Sequence, residues 1–376
     1  MSPRSSVRSI ALCILVCAIA GCSRDLPTKP ASQARDVSSS TPAPAGPLGG
    51  KAPAHPTPAA PMGPHTVYVP AGSVDAIGAA LAQAGAGGRV VLRSGTHQEN
   101  QPVVVTNTLV IEGEPGAIVE SSAQQFPPAP AMVPTLWVQA PRTVVRGIGF
   151  HSSTGGGIAV LLDNASQSSV TNCVMRNMQF GIIVQYSDKV RLTENRIDIN
   201  TGWQTGVVGD AEGIVVMNGR NAQVVGNTVT NAAFGIWAND GRGVCRGNHT
   251  DLCYEGIILC KVPEGGYVFP SGPAGARYPC NGWEVEGNEA SQCLENGLLA
   301  IDGAFENTIV ENDFHDNAVN DCELSGDSTR FGFLTPGSHD NRFEAGQYHN
   351  LRVKNCGLHN QVEGGSPVDL TAHPCY

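Results

Sequence analysis

Short apolar runs, each led by a glycine, recur along the second half of the chain. Alternation along such a run places its first and third residues on one face and its second and fourth on the other. The spacing between the runs indicates a repeat of about 22 residues that is interrupted by two insertions. The pattern therefore predicts stacked coils of short strands. The runs begin at Ile182, Ile214, Ile236, Ile257 and Leu298.

An asparagine that is followed two residues later by an apolar or small residue marks the same repeat. Asparagine tolerates the left-handed backbone of a sharp turn, and stacked side-chain amides can hydrogen-bond to one another. We therefore expect an asparagine ladder with a structural role. Its predicted members are Asn172, Asn195, Asn227, Asn248, Asn288, Asn312 and Asn341.

Through the asparagine beat and the glycine-led strands, the chain from about residue 66 to 350 resembles the pectin-lyase-like right-handed parallel β-helix proteins. Ser73 to Ala84 also fits, as a capped amphipathic helix with Ile77, Leu81 and Ala84 on one face. The resemblance implies an all-β solenoid with an N-terminal capping helix. It implies little about activity, because similar scaffolds serve polysaccharide lyases, glycoside hydrolases, uronate epimerases, adhesins and non-enzymatic periplasmic proteins.

The first residues predict export and lipid attachment. Arg4 and Arg8 precede an apolar run that is too short to span a bilayer, and the run ends in Ile-Ala-Gly-Cys22, which resembles a bacterial lipobox. An ordinary cleaved signal peptide and a short membrane anchor remain alternatives. Ser23 after the lipidated cysteine resembles sorting to the outer membrane. The predicted location is therefore the bacterial cell envelope, on the periplasmic or surface side.

Composition then divides the chain into three parts. Residues 1–21 are the predicted signal peptide, 22–65 are a tether rich in Pro, Ala and Ser, and 66–376 are the β-helix domain. Loss of Arg4 and Arg8 with the signal would change the formal charge from −10 to −12. The body of the chain has no cluster of basic residues, so we expect no nucleic-acid partner. The membrane would be contacted through the lipid anchor only.

Nine cysteines follow the predicted lipobox, and an exported chain with so many should form disulfides. The predicted pairs are Cys253 with Cys293, on consecutive coils; Cys260 with Cys280, around the second insertion; and Cys356 with Cys375, in the tail. Cys245 aligns with inward apolar residues and is predicted to be a buried free thiol. Zinc is the alternative for this cluster, although the sequence has no C-x-x-C pair.

The outward second positions of the glycine-led runs form an apolar stripe, namely Ile183, Val215, Trp237, Ile258 and Leu299. Such a stripe must be covered or used. In one interpretation an insertion or the tail packs over it; in the other it is a groove in which Trp237 stacks on a sugar ring. The two insertions, near 201–211 and 261–282, would wall that groove. The aromatic residues predicted to bind substrate are Trp203, Trp237, Tyr267 and Tyr278.

Polar residues beside the runs fall into two registers. The register before the glycine holds Glu212, Glu255, Asn296 and, by alignment, Asp321, and the register after the strand holds Asp240, Lys261 and Asp302. Carboxylates two coils apart suit an inverting hydrolase. In a lyase, Lys261 or Arg277 would be the base, and Asp240, Asp302 or Glu212 would neutralise charge or bind Ca²⁺. A solvated ladder of ion pairs is the competing interpretation.

Together these features predict an envelope-anchored β-helix lipoprotein that binds or modifies a polysaccharide, above all an acidic one, along an aromatic groove. Catalysis stays open, because no motif in the sequence establishes it. An enzyme on this scaffold would be a lyase or epimerase, or a glycoside hydrolase, and Ca²⁺ is the one cofactor considered. The alternative is a non-catalytic structural, adhesive or periplasmic maturation protein.

Overall fold

The computed structural model describes residues 65–122, 133–199, 211–239, 241–260, 278–301, 303–326, 337–348, 350–368 and 375. These residues form one helix, α1 (Ile77–Ala84), and 32 strands. In chain order the strands are β1 (Thr66–Val69), β2 (Arg89–Leu92), β3 (Gly95–Glu99), β4 (Val103–Val105), β5 (Val110–Gly113), β6 (Ala117–Ser121), β7 (Pro134–Val138), β8 (Val144–Arg146), β9 (Gly149–Ser152), β10 (Ile158–Asp163), β11 (Ser169–Thr171), β12 (Val174–Arg176), β13 (Phe180–Gln185), β14 (Arg191–Thr193), β15 (Arg196–Asp198), β16 (Glu212–Met217), β17 (Ala222–Val225), β18 (Thr228–Thr230), β19 (Phe234–Asn239), β20 (Gly243–Arg246), β21 (His249–Asp251), β22 (Glu255–Cys260), β23 (Glu284–Glu286), β24 (Glu289–Ser291), β25 (Asn296–Ala300), β26 (Thr308–Val310), β27 (Asp313–His315), β28 (Asn320–Leu324), β29 (Arg342–Glu344), β30 (Arg352–Asn355), β31 (Gln361–Glu363) and β32 (Ser366–Pro367).

The strands form three sheets that run along the stack. Sheet A has 12 strands in the order β1-β2-β5-β8-β11-β14-β17-β20-β23-β26-β29-β31. Sheet B has nine, β3-β6-β9-β12-β15-β18-β21-β24-β27, and sheet C has 11, β4-β7-β10-β13-β16-β19-β22-β25-β28-β30-β32. Neighbouring strands in each sheet come from successive coils and pair in parallel. This arrangement confirms the predicted parallel β-helix.

Helix α1 closes the N-terminal end of the stack by packing against β1, β2 and β4. Ile77, Leu81 and Ala84 are buried, as the helical periodicity predicts. The helix begins later than predicted, and Ser73 does not cap it, since its hydroxyl donates to a nearby backbone carbonyl. The Ile77 N–H instead donates to Oε1 of Glu99 at 3.1 Å. A carboxylate from the first coil thus satisfies the helix start.

The glycine that leads each sheet C strand is required by the close approach of successive coils. A Cβ on Gly256 would lie 2.4 Å from the carbonyl oxygen of Gly297 in the next coil and 2.9 Å from Oγ1 of Thr250. Gly213 and Gly235 face the same obstacle, each 2.5 Å from the next glycine's carbonyl oxygen. The recurrence of glycine is therefore a steric requirement of the interior.

The residues predicted to point inward fill that interior, and each of them is fully buried. They are Ile182 and Val184, Ile214 and Val216, Ile236 and Ala238, Ile257 and Leu259, and Leu298 and Ala300. Each coil alone would expose these side chains, so stacking makes one continuous core.

A ladder of buried asparagines runs along the corner between sheets A and B. Its members are Asn195, Asn227, Asn248, Asn288 and Asn312. The side-chain nitrogen of each of the first four donates to the side-chain oxygen of the next asparagine at 2.9 Å, and the same oxygen also accepts the backbone N–H of the donating asparagine. The ladder is structural, as predicted, because it satisfies donors that have no access to water.

Two predicted members lie elsewhere. In the coil before Asn195, Cys173 occupies the ladder position, and its backbone N–H donates to Asn195 Oδ1. Asn172 lies one residue earlier, at a turn position with a left-handed backbone (φ 51°). In the other coils that left-handed position holds residues such as Gly226 and Gly247. The ladder positions therefore require asparagine for its side-chain hydrogen bonds, and not because it tolerates a left-handed backbone.

Asn341 belongs to a second ladder, at the corner between sheets C and A. Its side-chain oxygen accepts from Asn307, and its side-chain nitrogen donates to Asn360, each at 3.0 Å. The register explains the difference, because Thr308 pairs with Arg342 and so places Asn307 beside Asn341. The spacing pattern in the sequence therefore assigned to one ladder residues that belong to two ladders at different corners.

The tail disulfide between Cys356 and Cys375 is present, as predicted, whereas the other two predicted pairs are free thiols. Cys253 and Cys293 stack on consecutive coils, but each thiol donates to a carbonyl oxygen of its own coil, at 3.4 and 3.5 Å. Burial raises the pKa of Cys253 to about 12, so the thiol is inert there.

Cys260 and Cys280 lie on opposite sides of the sheet C wall, and this separation prevents the predicted bond between them. Cys260 packs in the outer apolar cluster, and Cys280 lies in the interior, where its thiol faces the Ala238 carbonyl oxygen at 3.4 Å. Cys245 is a buried free thiol beside Val224 and Val285, as predicted, and burial raises its pKa to about 12.

The predicted signal peptide, Cys22 and the tether up to residue 64 lie outside the described residues, as does most of each insertion. In the part of the chain that is described, no helix is long and apolar enough to cross a bilayer.

Candidate functional site

The outer face of sheet C is the candidate site, because it combines ionisable, amide and aromatic side chains. The predicted stripe does point outward, but it is not open to solvent: Ile183, Val215, Ile258 and Leu299 are 0–2% exposed and Trp237 is 8% exposed. These side chains form an apolar cluster of their own, separate from the interior core. Of the two interpretations of the stripe, burial supports the covered one.

Trp237 is held in place from two directions. Its Nε1–H donates to Sγ of Cys260 at 2.7 Å, and its ring meets Phe234 edge-on with centroids 5.3 Å apart. The Cys260 thiol in turn donates to Oδ1 of Asn239 at 2.7 Å. The indole is therefore largely buried in this structure, and a sugar-binding groove at Trp237 stays a prediction.

Two glutamates lie in one column at the start of the sheet C strands. Glu212 and Glu255 pair in register with Phe234, one on each side, so their Cα atoms are two strand spacings apart, about 10 Å. They are 1% and 0% exposed. Glu255 accepts hydrogen bonds from the backbone N–H and side chain of Asn296, the shortest at 3.1 Å. Carboxylates buried on an outward face are costly unless they are partnered, and they mark functional candidates.

The next residues of this column show that one predicted alignment was wrong. Asn296 pairs with Asn320, and not with the predicted Asp321, because the residue after Asn320 takes the place of the glycine. Asn320 donates to Asn296 Oδ1 at 2.9 Å and to Oε2 of Glu323 at 3.2 Å. Glu323 forms a buried ion pair with Lys354 of the next coil at 3.4 Å. The outer face thus ends in a charged pair beyond the apolar stripe.

Trp137 is a candidate that the sequence analysis missed. It lies in the same column as Trp237, four strand spacings away, about 19 Å, and it is only partly buried. Its Nε1–H donates to Oδ2 of the buried Asp163 at 3.1 Å. The first coils lack the glycine lead, so the repeat signal was weak there. The alternation of β7 around Leu136, Trp137 and Val138 was the signal available.

Most of the residues predicted to act on substrate lie outside the described residues. These are Asp240, Lys261, Arg277 and Asp302 for catalysis, and Trp203 and Tyr267 for binding. Tyr278 is described, and the structure places it at the turn between sheets C and A, with the Arg220 guanidinium 4.7 Å from its ring centre. Arg220 also pairs with Asp188 at 3.6 Å. Among the described residues, no group of three or more His, Cys, Asp or Glu is arranged to hold a metal ion.

Residues 99–259 match the family model described as "Right handed beta helix region". The described coils have this fold, a right-handed parallel β-helix. The matched segment runs from the last residue of β3 to the next-to-last residue of β22, and includes Trp137, Glu212, Trp237 and Glu255. No curated protein matches the sequence of this β-helix protein.

Solved structures with the same fold include an ORF18 protein of Geobacillus virus E2, with 10% identity and a TM-score of 0.50. The alignment covers 78% of this β-helix protein but 56% of the viral chain. The A-module of the Azotobacter vinelandii mannuronan C-5 epimerase AlgE4 has 12% identity and a TM-score of 0.46, with 81% and 96% covered. An Aspergillus tubingensis endo-xylogalacturonan hydrolase has 13% identity and a TM-score of 0.45. That alignment covers 80% of this β-helix protein and 94% of the hydrolase chain. Identities this low show the fold alone.

Proposed function

We propose that this β-helix protein binds or modifies a polysaccharide along the outer face of sheet C. The observation that carries the proposal is the set of carboxylates buried on a face that points away from the core, next to two tryptophans. Asp163, Glu212 and Glu255 are each 1% exposed or less. Core packing does not require acids there, because the interior is filled from the other face of the same strands.

The proposed chemistry follows from the spacing of the two glutamates. Inverting glycosidases use two carboxyl groups about 6.5–9.5 Å apart, one as the general acid and the other as the base for a water. Strand positions about 10 Å apart allow Glu212 and Glu255 to approach that separation. Lys354 lies on this face, but it is buried and neutralised by Glu323, so it would not attract an acidic polysaccharide. The partly buried ring of Trp137 is the proposed platform for a sugar ring.

Turnover by carboxylate variants tests this proposal. Neutral and uronate-containing polysaccharides are incubated with the full chain, with and without Ca²⁺, and three signals are followed: new reducing ends, unsaturated-uronate absorbance and C-5 configuration by NMR. We expect Glu212→Gln to lower turnover by about 100-fold, since acid–base groups contribute about 10²–10⁴. Trp137→Ala should weaken binding about tenfold, in line with loss of one aromatic contact.

Glu284→Gln is the matched control for these variants, because it makes the same change on the exposed face of sheet A. It should leave turnover and binding unchanged. Turnover that persists in Glu212→Gln and Glu255→Gln would remove the catalytic part of the proposal. Binding that persists in Trp137→Ala would remove the platform.

The envelope location is part of the same proposal, and Cys22→Ser tests it. Thioether attachment of the lipid needs the cysteine sulfur, so the variant should move from the membrane fraction to the soluble fraction. Wild-type chain should incorporate a labelled fatty acid, and the variant should not. Cys13→Ser, inside the predicted signal, is the control and should stay membrane-bound. Equal membrane association of both variants would contradict the lipid anchor.

A non-catalytic structural or adhesive role is the second candidate, and the burial of Trp237 favours it. Side-chain packing over the outer face of sheet C would stiffen the stack of coils. A structural or adhesive protein needs no open ligand groove on that face. Under this alternative, Trp237→Ala would lower the free energy of unfolding by about 3 kcal/mol, as a core truncation does, with no effect on any glycan affinity.

A further inference from the structure

Sheet B ends two coils before sheets A and C, and its missing strands leave a cavity at the C-terminal end of the stack. Strand β27 is the last strand of sheet B, whereas β29 and β31 continue sheet A and β30 and β32 continue sheet C. The cavity has a volume of about 590 Å³, within the range of about 300–1,000 Å³ that is usual for small-ligand pockets. We call it the end notch and define it by Asp313, His315, Asp316, Asp321, Tyr348 and Arg352.

The notch exists because the coil after β27 turns early. Between β29 and β30 the chain turns at residues 345–348, where the Tyr348 N–H donates to the Ala345 carbonyl oxygen at 3.0 Å. Gly346 stands at the turn with φ 57°, close against Glu311 of the preceding coil. The shortened path does not lay a strand beside β27. It brings Tyr348 to the cavity while part of its ring packs on the core.

The polar groups of the notch are fixed before any ligand enters. Arg352 donates from its backbone N–H and from Nε to Oδ2 of Asp321 at 2.8 and 3.2 Å, and from Nη2 to Oδ1 at 3.2 Å. Asp321 is 5% exposed, so this pair is half inside the protein. His315 lies between Asp316 at 3.0 Å and Glu289 at 3.5 Å. Rigid polar groups lose little entropy when they bind a ligand.

From this geometry we infer that the end notch binds a single neutral sugar ring of the polysaccharide. Planar carboxylate, imidazole and guanidinium groups around one aromatic ring match vicinal hydroxyls above an apolar sugar face. The carboxylates of Asp313, Asp316 and Asp321 outnumber the cation of Arg352, so a uronate is disfavoured there. The inference rests on the proposed polysaccharide function, to which it adds a second contact site and a preference for an uncharged unit.

Titration of the full chain with methyl glucoside, methyl galactoside, methyl mannoside and methyl galacturonoside tests the inference, with affinity read by NMR saturation transfer. We expect a neutral glycoside to bind and the galacturonoside to bind at least tenfold more weakly. Asp313→Asn and Tyr348→Leu should each weaken the neutral glycoside at least fivefold. Asp340→Asn is the matched control on the same end of the stack, and it should change nothing, because Asp340 lies outside the notch beside His339.

Each alternative result has a separate meaning. Neutral glycoside affinity that is unchanged in both notch variants would overturn the inference, even if Glu212→Gln and Trp137→Ala still abolish action on the polysaccharide. A galacturonoside that binds more tightly than every neutral glycoside would also overturn it. If a neutral glycoside binds in the end notch while the sheet C variants have no effect on the polysaccharide, the inference stands and the proposed sheet C site falls. If no methyl glycoside binds, the inference falls, and the polysaccharide assays decide the proposed function separately.

Discussion

Asn248→Leu should lower the free energy of unfolding by about 4 kcal/mol, the largest effect we expect from one polar residue. The Asn248 side chain accepts from the N–H and the side chain of Asn227 at 2.9 Å, and it donates to the Val224 carbonyl oxygen and to Asn288 at 2.9 Å. Leucine has a similar volume but leaves these buried groups without partners, at about 1–3 kcal/mol each. Urea unfolding measures the loss.

Asn172→Gly is the matched control for this ladder test. Asn172 fits the same sequence beat, but the structure places it at a left-handed turn position with φ 51°, outside the ladder. Glycine adopts that conformation without strain, so stability should change by less than about 0.5 kcal/mol. Equal losses in the two variants would mean that both asparagines hydrogen-bond alike, and would contradict the ladder as the structure shows it.

Gly256→Ala should lower the free energy of unfolding by about 3 kcal/mol, although it adds a single methyl group. The new Cβ would lie 2.4 Å from the Gly297 carbonyl oxygen, which belongs to the backbone of the next coil and cannot rotate away. The two coils would have to separate, and this strains the strand pairing of β22 with β25. A shift of the thermal midpoint, together with the urea midpoint, measures the effect.

Gly78→Ala makes the same change where there is room. Gly78 is an exposed residue of helix α1, and a Cβ there meets no atom within 4 Å. Alanine favours a helix over glycine by about 1 kcal/mol, so this variant should be as stable as the wild type or more stable. A destabilised Gly78→Ala protein would show that the effect of Gly256→Ala is not specific to coil stacking.

Much of the fold follows from the sequence because repetition amplifies a weak local signal. A single run such as Gly235-Ile-Trp-Ala predicts a strand only loosely, but its recurrence fixes which residues face inward, and Ile236 and Ala238 are buried accordingly. The Cys356–Cys375 pairing also followed from position, since few cysteines lie near the tail. Local periodicity succeeds here because each coil packs mainly on its neighbours.

The candidate site was less accessible to such reasoning. The stripe through Trp237 was correctly assigned to the outside, but alternation cannot say whether an outward residue meets solvent or other side chains. Trp137 and its bond to Asp163 were missed, because the first coils do not show the glycine lead. Asp321 was placed one residue out of register, since only strand pairing identifies Asn320 as the partner of Asn296.

The sequence alone determined the architecture of this protein: coils of about 22 residues, a glycine at the start of five strands, an asparagine ladder, and an inward and an outward face for those strands. Only the tertiary structure decided what the outward face is. Its burial, the two separate ladders, the free thiols of Cys253 and Cys293 and the end notch all depend on which side chains meet across coils. Sequence periodicity specifies which way each side chain points within one strand. Whether that side chain is covered, and which residue its strand pairs it with, are set by contacts between residues far apart in the chain.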